Sequence, residues 1–251
     1  MQWKQAFLDG KVLLFDKPME WTSFDVANKV RAIVKVKKVG HAGTLDPLAT
    51  GLLIICTGKY TKKINEYMGM EKEYAGTFTL GATTPTYDLE SDPENFKSIE
   101  HLTTEQIHAA TEAFKGNILQ LPPQHSAIKK NGERLYISAR KGEFVEVEPR
   151  PVTIHAFEIE KIEGTKVYFK VVCSTGTYIR SLANDFGQAL GVGAYMSSLR
   201  RTRIGHFSVN DANNLIDFEE TVLALRAAEA TQQDNQTLEP VAEASAEEEE
   251  D

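Results

Sequence analysis

Apolar positions along this chain fall into short runs whose spacing alternates between strand-like and helix-like periods. Val12–Phe15 is an apolar run that stops at Asp16-Lys17-Pro18 and predicts a strand. Thr22 and Ser23 then precede Val26, Val30, Ile33 and Val34, a stripe at helical spacing, and Asp25 stands three residues after Thr22 in a capping-box pattern. Leu52–Cys56 reads as a buried strand, and Tyr74–Leu80, which alternates apolar and polar, as another. Residues 81–98 are turn-rich, and Thr103 and Thr104 open a helix through Phe114. Val152–Ile162 and Val167–Val172 predict two strands around a turn at Gly164, and Ser174–Tyr178 leads into a helix over Ile179–Leu190. Phe207 to about Ala227 closes the folded part. No internal repeat is present. Strands and helices alternate irregularly, which favours an α+β layer fold over a doubly wound one.

Charge changes this picture at two places. Of 36 acidic residues, nine lie in residues 227–251, a stretch with no Lys or Arg that ends in EEEED. With those nine set aside, 28 basic residues face 27 acidic ones, so the net charge of −8 describes the C-terminal segment and not the body. Few large apolar residues occur there, so residues 227–251 are expected to form a disordered acidic tail behind a body of residues 1–226. Residues 115–150 are the second place. A Pro pair, a Lys-Lys-Asn-Gly turn and a run of basic residues suggest an excursion from the core. Further lysines bracket Gly40–Gly51: Lys35, Lys37 and Lys38 before it, Lys59, Lys62 and Lys63 after it. Several basic clusters around one loop point to a polyanionic partner.

The remaining composition excludes several classes. No apolar run approaches the roughly 20 residues of a membrane span, and the N-terminal MQWKQAF carries no apolar signal core. Cys56 and Cys173 form no CxxC pair and sit in apolar runs, as reduced thiols of a cytoplasmic protein would. No P-loop occurs, and no second carboxylate or histidine at ligand spacing accompanies Asp46, so a metal site is not expected.

Asp46 lies in GHAGTLDPLATGLL. Asp before Pro is a common helix start, and that reading is sufficient for an isolated Asp-Pro. Here His41 lies five residues upstream, Gly40, Gly43 and Gly51 permit close backbone approach, and lysines flank the segment. A single carboxylate in such a loop can act as a nucleophile or a base.

This stretch resembles the catalytic motif of the TruB-type tRNA pseudouridine synthase family. The resemblance continues, in order, through Asp16-Lys17-Pro18, Lys72-Glu73-Tyr74, GATTPTYD over 81–88, QLPPQHSA over 120–127, Leu135-Tyr136 to Gly142, STGTYIR over 174–180 and Leu199-Arg200-Arg201. It covers about residues 9–216. It implies a pseudouridine synthase fold, a largely antiparallel mixed sheet flanked by helices. It further implies isomerisation of the T-loop uridine of tRNA, conventionally position 55, without cofactor or metal.

Asp46 is then the implied nucleophile; whether it attacks C1′ of the ribose or C6 of the base is open at this level. Arg180 is its implied cationic partner, and a carboxylate there would offset the cost of a cation near a helix start. Tyr74 is implied to stack on the extruded base and is a candidate for proton abstraction at C5. Tyr178 and Leu199 are implied pocket walls, His41 a residue near the extruded nucleotides, and Lys17 a basic residue of the cleft. Lys62, and Lys129, Lys130, Arg134, Arg140 and Lys141 of a thumb-like insertion over 115–150, are implied RNA contacts. Extruding a base costs a few kcal/mol and calls for aromatic and apolar walls, while phosphate contacts supply register. The chain ends too soon after Glu220 for the RNA-binding extension, of PUA type, that many members carry. No obligate protein partner is expected. The competing readings are a non-catalytic RNA-binding protein on the same scaffold and a hydrolase of N-glycosidic bonds.

Overall fold

The computed structural model describes residues 2–126, 128–130 and 132–237. In chain order the elements are α1 (Gln2–Asp9), β1 (Val12–Lys17), α2 (Ser23–Val34), β2 (Val39–Ala42), β3 (Ala49–Thr57), α3 (Ile64–Gly69), β4 (Lys72–Leu80), α4 (Thr104–Ala110) and β5 (Gly116–Gln120). They continue with β6 (Lys129–Lys130), β7 (Glu133–Arg134), α5 (Leu135–Arg140), β8 (Arg150–Glu163), β9 (Lys166–Cys173), α6 (Ile179–Ala189), β10 (Ala194–Ile204), β11 (Phe207–Ser208) and α7 (Leu215–Thr237).

One sheet runs β1-β3-β10-β4-β9-β8-β5, with β2 on β3 and β11 on β10. Every pairing is antiparallel except β3 with β10, where Leu199, Arg200 and Arg201 pair with Ala49, Thr50 and Gly51. The expected α+β class and largely antiparallel sheet are thus present. β1 occupies one edge of β3, while β2 and β10 share the other, β2 along 54–57 and β10 along 49–51. The loop carrying Asp46 leaves the sheet between those two neighbours.

Local chemistry accounts for several boundaries. Thr22 caps α2 in a full capping box with Asp25, and the helix ends on Lys35 in the left-handed region. Val26, Val30, Ile33 and Val34 of α2 pack on Phe15, Leu53 and Ile55 with Phe218 of α7. On β4, β8 and β9, inward-facing Phe78, Phe157 and Phe169 meet Phe186 of α6 in one edge-and-tilt aromatic cluster. Burying each such ring is worth about 2–3 kcal/mol, which fixes α6 against the sheet. Cys56 and Cys173 are free and buried, and burial pushes both thiols up to about 11.

Two boundaries differ from the sequence reading, and the helix start that was the simpler alternative for Asp46-Pro47 is absent. Gly116–Gln120 is not part of the excursion: β5 pairs with β8 over 150–154, so the segment leaving the sheet is 121–149. Asp46-Pro47 opens no helix; Pro47 and Leu48 form a turn closed by Ala49 N–H donating to the Asp46 carbonyl at 3.1 Å, and β3 begins at once. The expected disorder from residue 227 is not found as far as Thr237, because α7 continues. Residues 227–237 are rich in the helix formers Ala and Gln. Glu229 also accepts from the backbone N–H groups of Gln2 and Trp3 at the open start of α1, and the Arg226 guanidinium lies 4.4 Å over the Trp3 ring. The rest of the expected tail, residues 238–251, lies outside the described residues.

Candidate active site

Asp46 sits in the turn between β2 and β3, with its side chain about one-third exposed at 35%. The turn is held from beneath. Ser23 at the start of α2 accepts from Leu45 N–H at 2.9 Å and returns a bond to the Leu45 carbonyl at 3.3 Å. Lys17 Nζ donates to the carbonyls of Pro18, Trp21 and Pro47 at 2.8, 2.5 and 3.1 Å. Lys17 is wholly buried, and burial lowers its pKa to about 8. Its three N–H groups are engaged by carbonyls, so it holds the Pro18–Trp21 and Asp46–Pro47 turns against each other.

Arg180, the second residue of α6, meets Asp46 edge-on. Its Nε lies 2.9 Å from Oδ2, and its Nη2 donates to Oδ1 at 3.3 Å. Nη1 donates to the Thr86 carbonyl and Nη2 also to the His125 carbonyl, at 3.3 and 3.0 Å. The Asp88 carboxylate stands 3.6 Å from Arg180 Nε, is buried, and leaves Oδ2 without a hydrogen bond. One guanidinium therefore joins the Asp46 turn, the 86–88 loop and the root of the 121–149 segment. A charge-assisted, two-point contact of this kind fixes the orientation of the Asp46 carboxylate.

Tyr74 and Tyr178 both lie close enough to feel the Asp46 charge. Tyr74 comes from β4 and is half-buried; burial pushes its phenol up, and the nearby Arg201 guanidinium opposes that shift. Tyr178 is the residue before α6. Its N–H donates to Gln120 Oε1 at 2.8 Å, and its carbonyl accepts from Gln120 Nε2 at 3.1 Å, so the end of β5 sets the start of the helix. Leu199 is buried opposite Ala49 and Gly76 in the cluster that holds Leu45 and Tyr74. His41 lies on β2, half-buried; burial and the Arg201 charge lower its pKa, so the ring is neutral near pH 7.

The basic residues divide into two places. Lys129, Lys130, Arg134 and Lys141 stand on the 121–149 segment. Lys129 is exposed; Lys130 donates to the Glu146 carbonyl, Lys141 pairs with Glu133 at 3.0 Å, and Arg140 lies 5.5 Å over the Tyr136 ring. Lys62 is exposed at the far end of β3 from Asp46, about 26 Å along the strand. Gly58 N–H donates to the Lys38 carbonyl there, which brings the Lys35–Lys38 and Lys59–Lys63 groups together. Asp88 and Arg201 fall within stretches that carry the family resemblance, but the sequence reading gave neither a role. Strand alternation from Leu199 was the available signal for Arg201; for Asp88, inside a turn-rich loop, the GATTPTYD stretch was the signal and no periodicity adds to it.

The Asp46 turn held against a buried arginine, with two tyrosines and a buried leucine close by, forms the candidate site. Residues 31–179 match the N-terminal domain of the TruB family pseudouridylate synthases, and residues 180–246 the C-terminal domain of tRNA pseudouridylate synthase B; the chain belongs to the TruB family. It is 52% identical over 225 residues to tRNA pseudouridine synthase B of Flavobacterium johnsoniae, covering 87% of this chain and 98% of that one. Against the protein of the same name from Phocaeicola vulgatus it is 48% identical, covering 85% and 94%. Among solved structures it resembles a chain of a Cbf5-Nop10-Gar1 complex, with TM-score 0.68 and 32% identity over 86% of this chain. A second is an H/ACA RNP bound to a substrate RNA containing 2′-deoxyuridine, with TM-score 0.65 and 28% identity over 86% of this chain. This chain spans about half of those solved chains, 55% and 54%. Among the described residues no helix is long and apolar enough to cross a membrane, and no group of three or more His, Cys, Asp or Glu could hold a metal ion.

Proposed function

We propose that this protein isomerises uridine to pseudouridine in the T loop of tRNA, at position 55, with Asp46 as the nucleophile. The Asp46–Arg180 contact carries the reading. It leaves an oriented carboxylate one-third exposed beside aromatic and apolar side chains, ready to bond to the ribose C1′ or the base C6 while the glycosidic bond breaks. Tyr74 stacks on the extruded uracil, Tyr178 and Leu199 close the pocket, and neutral His41 stands near the nucleotides left by the extruded base. Lys129, Lys130, Arg140 and Lys141 of the 121–149 thumb, and Lys62 with its neighbouring lysines, meet phosphates at two separated places, as an extended folded RNA allows. The relatives named tRNA pseudouridine synthase B support tRNA as the substrate.

The test is incubation of unmodified T-arm RNA with the purified protein, followed by a chemical assay for pseudouridine at each uridine. Pseudouridine at the T-loop position with unchanged RNA mass is expected. Release of free uracil would make the protein a hydrolase. Asp46→Asn should abolish turnover while RNA affinity stays within about threefold, below roughly 1 kcal/mol. Near-wild-type product from that variant would reduce Asp46 to a turn residue.

A further inference from the structure

The segment joining β1 to α2 carries large apolar side chains that the core does not use. Met19, Trp21 and Phe24 are 51%, 36% and 61% exposed, three within six residues. α2 itself supplies the core with Val26, Val30, Ile33 and Val34. Leaving three such side chains in water forfeits the gain of burying them, and apolar residues exposed together, unlike scattered ones, mark a contact surface.

This segment is fixed against the Asp46 turn. Lys17 Nζ ties the carbonyls of Pro18 and Trp21 to that of Pro47, the residue after Asp46. Glu20 N–H donates to the same Pro47 carbonyl at 2.9 Å, with Glu20 in the left-handed region at φ +66°. Ser23 exchanges hydrogen bonds with Leu45, the residue before Asp46. Few L residues adopt the Glu20 backbone unaided, so bonds from the Asp46 turn set the course of residues 18–23. Local charge then selects the ligand. Residues 18–28 contain no Lys or Arg, and the acids Glu20 and Asp25 are exposed on either side of Trp21. Phosphate is repelled there, whereas the uncharged face of a nucleobase stacks on an indole whatever its sequence.

We propose that Trp21, with Met19 and Phe24 around it in the chain, is a stacking platform for a nucleobase adjacent to the target uridine. This rests on the pseudouridine synthase reading and adds a second base subsite to it. Drawing one base out of a loop unstacks its neighbours and leaves a neighbouring base face without a partner. Trp21 supplies that partner. Platform and nucleophile share the Lys17 and Pro47 bonds, so a base held on Trp21 sets the register of the uridine at Asp46. The contact is the same before and during the reaction. It therefore lowers KM and leaves the saturated rate alone.

The chain has two tryptophans, and Trp3 lies on α1 against Phe7 and Arg226. Trp3→Phe therefore leaves Trp21 as the single indole reporter. In Trp3→Phe/Asp46→Asn protein, where turnover is blocked, saturating T-arm RNA should quench the Trp21 emission. Affinities are then measured in the Asp46→Asn background for T-arm RNA that is intact or abasic at the nucleotide 5′ or 3′ of the target. Trp21→Ala and Trp21→Leu should weaken binding of intact RNA roughly 10-fold, within the range of one stacked base, and Trp21→Phe less than about threefold. Leucine keeps apolar bulk at the start of α2, so Trp21→Leu decides the matter if Trp21→Ala does not fold. One of the two abasic RNAs should bind Trp21 protein about 10-fold more weakly than intact RNA and be indifferent to Trp21→Leu, the coupling of a direct contact. With Asp46 intact, Trp21→Leu should raise KM while the saturated single-turnover rate stays within about threefold. Absence of pseudouridine from the wild type would sink the synthase reading alone, since quenching and abasic coupling need no turnover. Unquenched Trp21 emission, or an equal loss in Trp21→Leu on intact and both abasic RNAs, would overturn the platform.

Discussion

Arg180 and Lys72 are both buried cations, and their surroundings give them opposite consequences. Arg180 reaches both Asp46 oxygens and two backbone carbonyls from one plane. An ammonium is a point charge that cannot span four acceptors. Arg180→Lys should therefore lose at least 100-fold in single-turnover rate with a normal unfolding transition; unaltered kinetics would mean that net charge alone suffices. Lys72 donates to the carbonyls of Met68 and Met70, and burial lowers its pKa from 10.5 to about 8. Its folded pKa lies below its unfolded one, so below about pH 8 the fold carries a buried charge. That cost is relieved as pH rises toward 10.5, where the unfolded chain holds more protons. Between about pH 7.5 and 9.5 the wild type should gain roughly 2 kcal/mol relative to Lys72→Met in urea unfolding. Parallel pH profiles for the two would place the Lys72 ammonium in contact with water.

Among the elements, the junction of β3 with β10 governs the site. Gly51 pairs with Lys17 on one side and Arg201 on the other, at φ +102°. A Cβ there would lie 2.3 Å from the Arg201 carbonyl oxygen. Gly51→Ala should cost about 3 kcal/mol or more in stability through strain and clash together, seen as a lower denaturant midpoint. The 121–149 segment answers differently. Replacing Lys129 and Lys130 by Ala should raise KM for RNA and flatten its salt dependence, with the saturated rate little changed, because phosphate contacts release counterions on binding. Lys129 should account for most of this, since Lys130 already donates to Glu146; an unchanged salt slope would separate the pair from the RNA.

At the scale of the whole molecule, α7 returns the C-terminal part of the chain to its beginning. Glu229 engages the first N–H groups of α1, while seven of the nine acids beyond residue 226 lie after Thr237. Two truncations should therefore separate. Ending the chain after Arg226 removes Glu229 and the last turns of α7 and should lower Tm. Ending it after Thr237 should leave Tm and the saturated rate unchanged and tighten RNA binding only at low salt, where like charges repel over a longer Debye length. Equal low-salt affinity before and after that second truncation would show that the acidic segment acts on neither.

Sequence alone determined what is local. The Thr22–Asp25 box placed α2, alternation over Tyr74–Leu80 placed β4, and the long GHAGTLDPLATGLL stretch singled out Asp46, because caps, periods and motifs are written within a few residues. Only the tertiary structure decided which buried charges stand behind that aspartate. Leu199-Arg200-Arg201-Thr202-Arg203 reads along the chain as one basic cluster. Folded, Arg200 pairs with Asp16 at 2.6 Å, Arg203 with Glu71 at 2.8 Å, and Arg201 is enclosed between β3 and β4. Strand alternation sends neighbours to opposite faces, but which face is interior depends on partners more than a hundred residues away. Lys17 shows the same in reverse: a lysine beside a proline reads as cleft surface, and becomes interior only when the Asp46 turn closes over it and supplies the carbonyl that holds its charge.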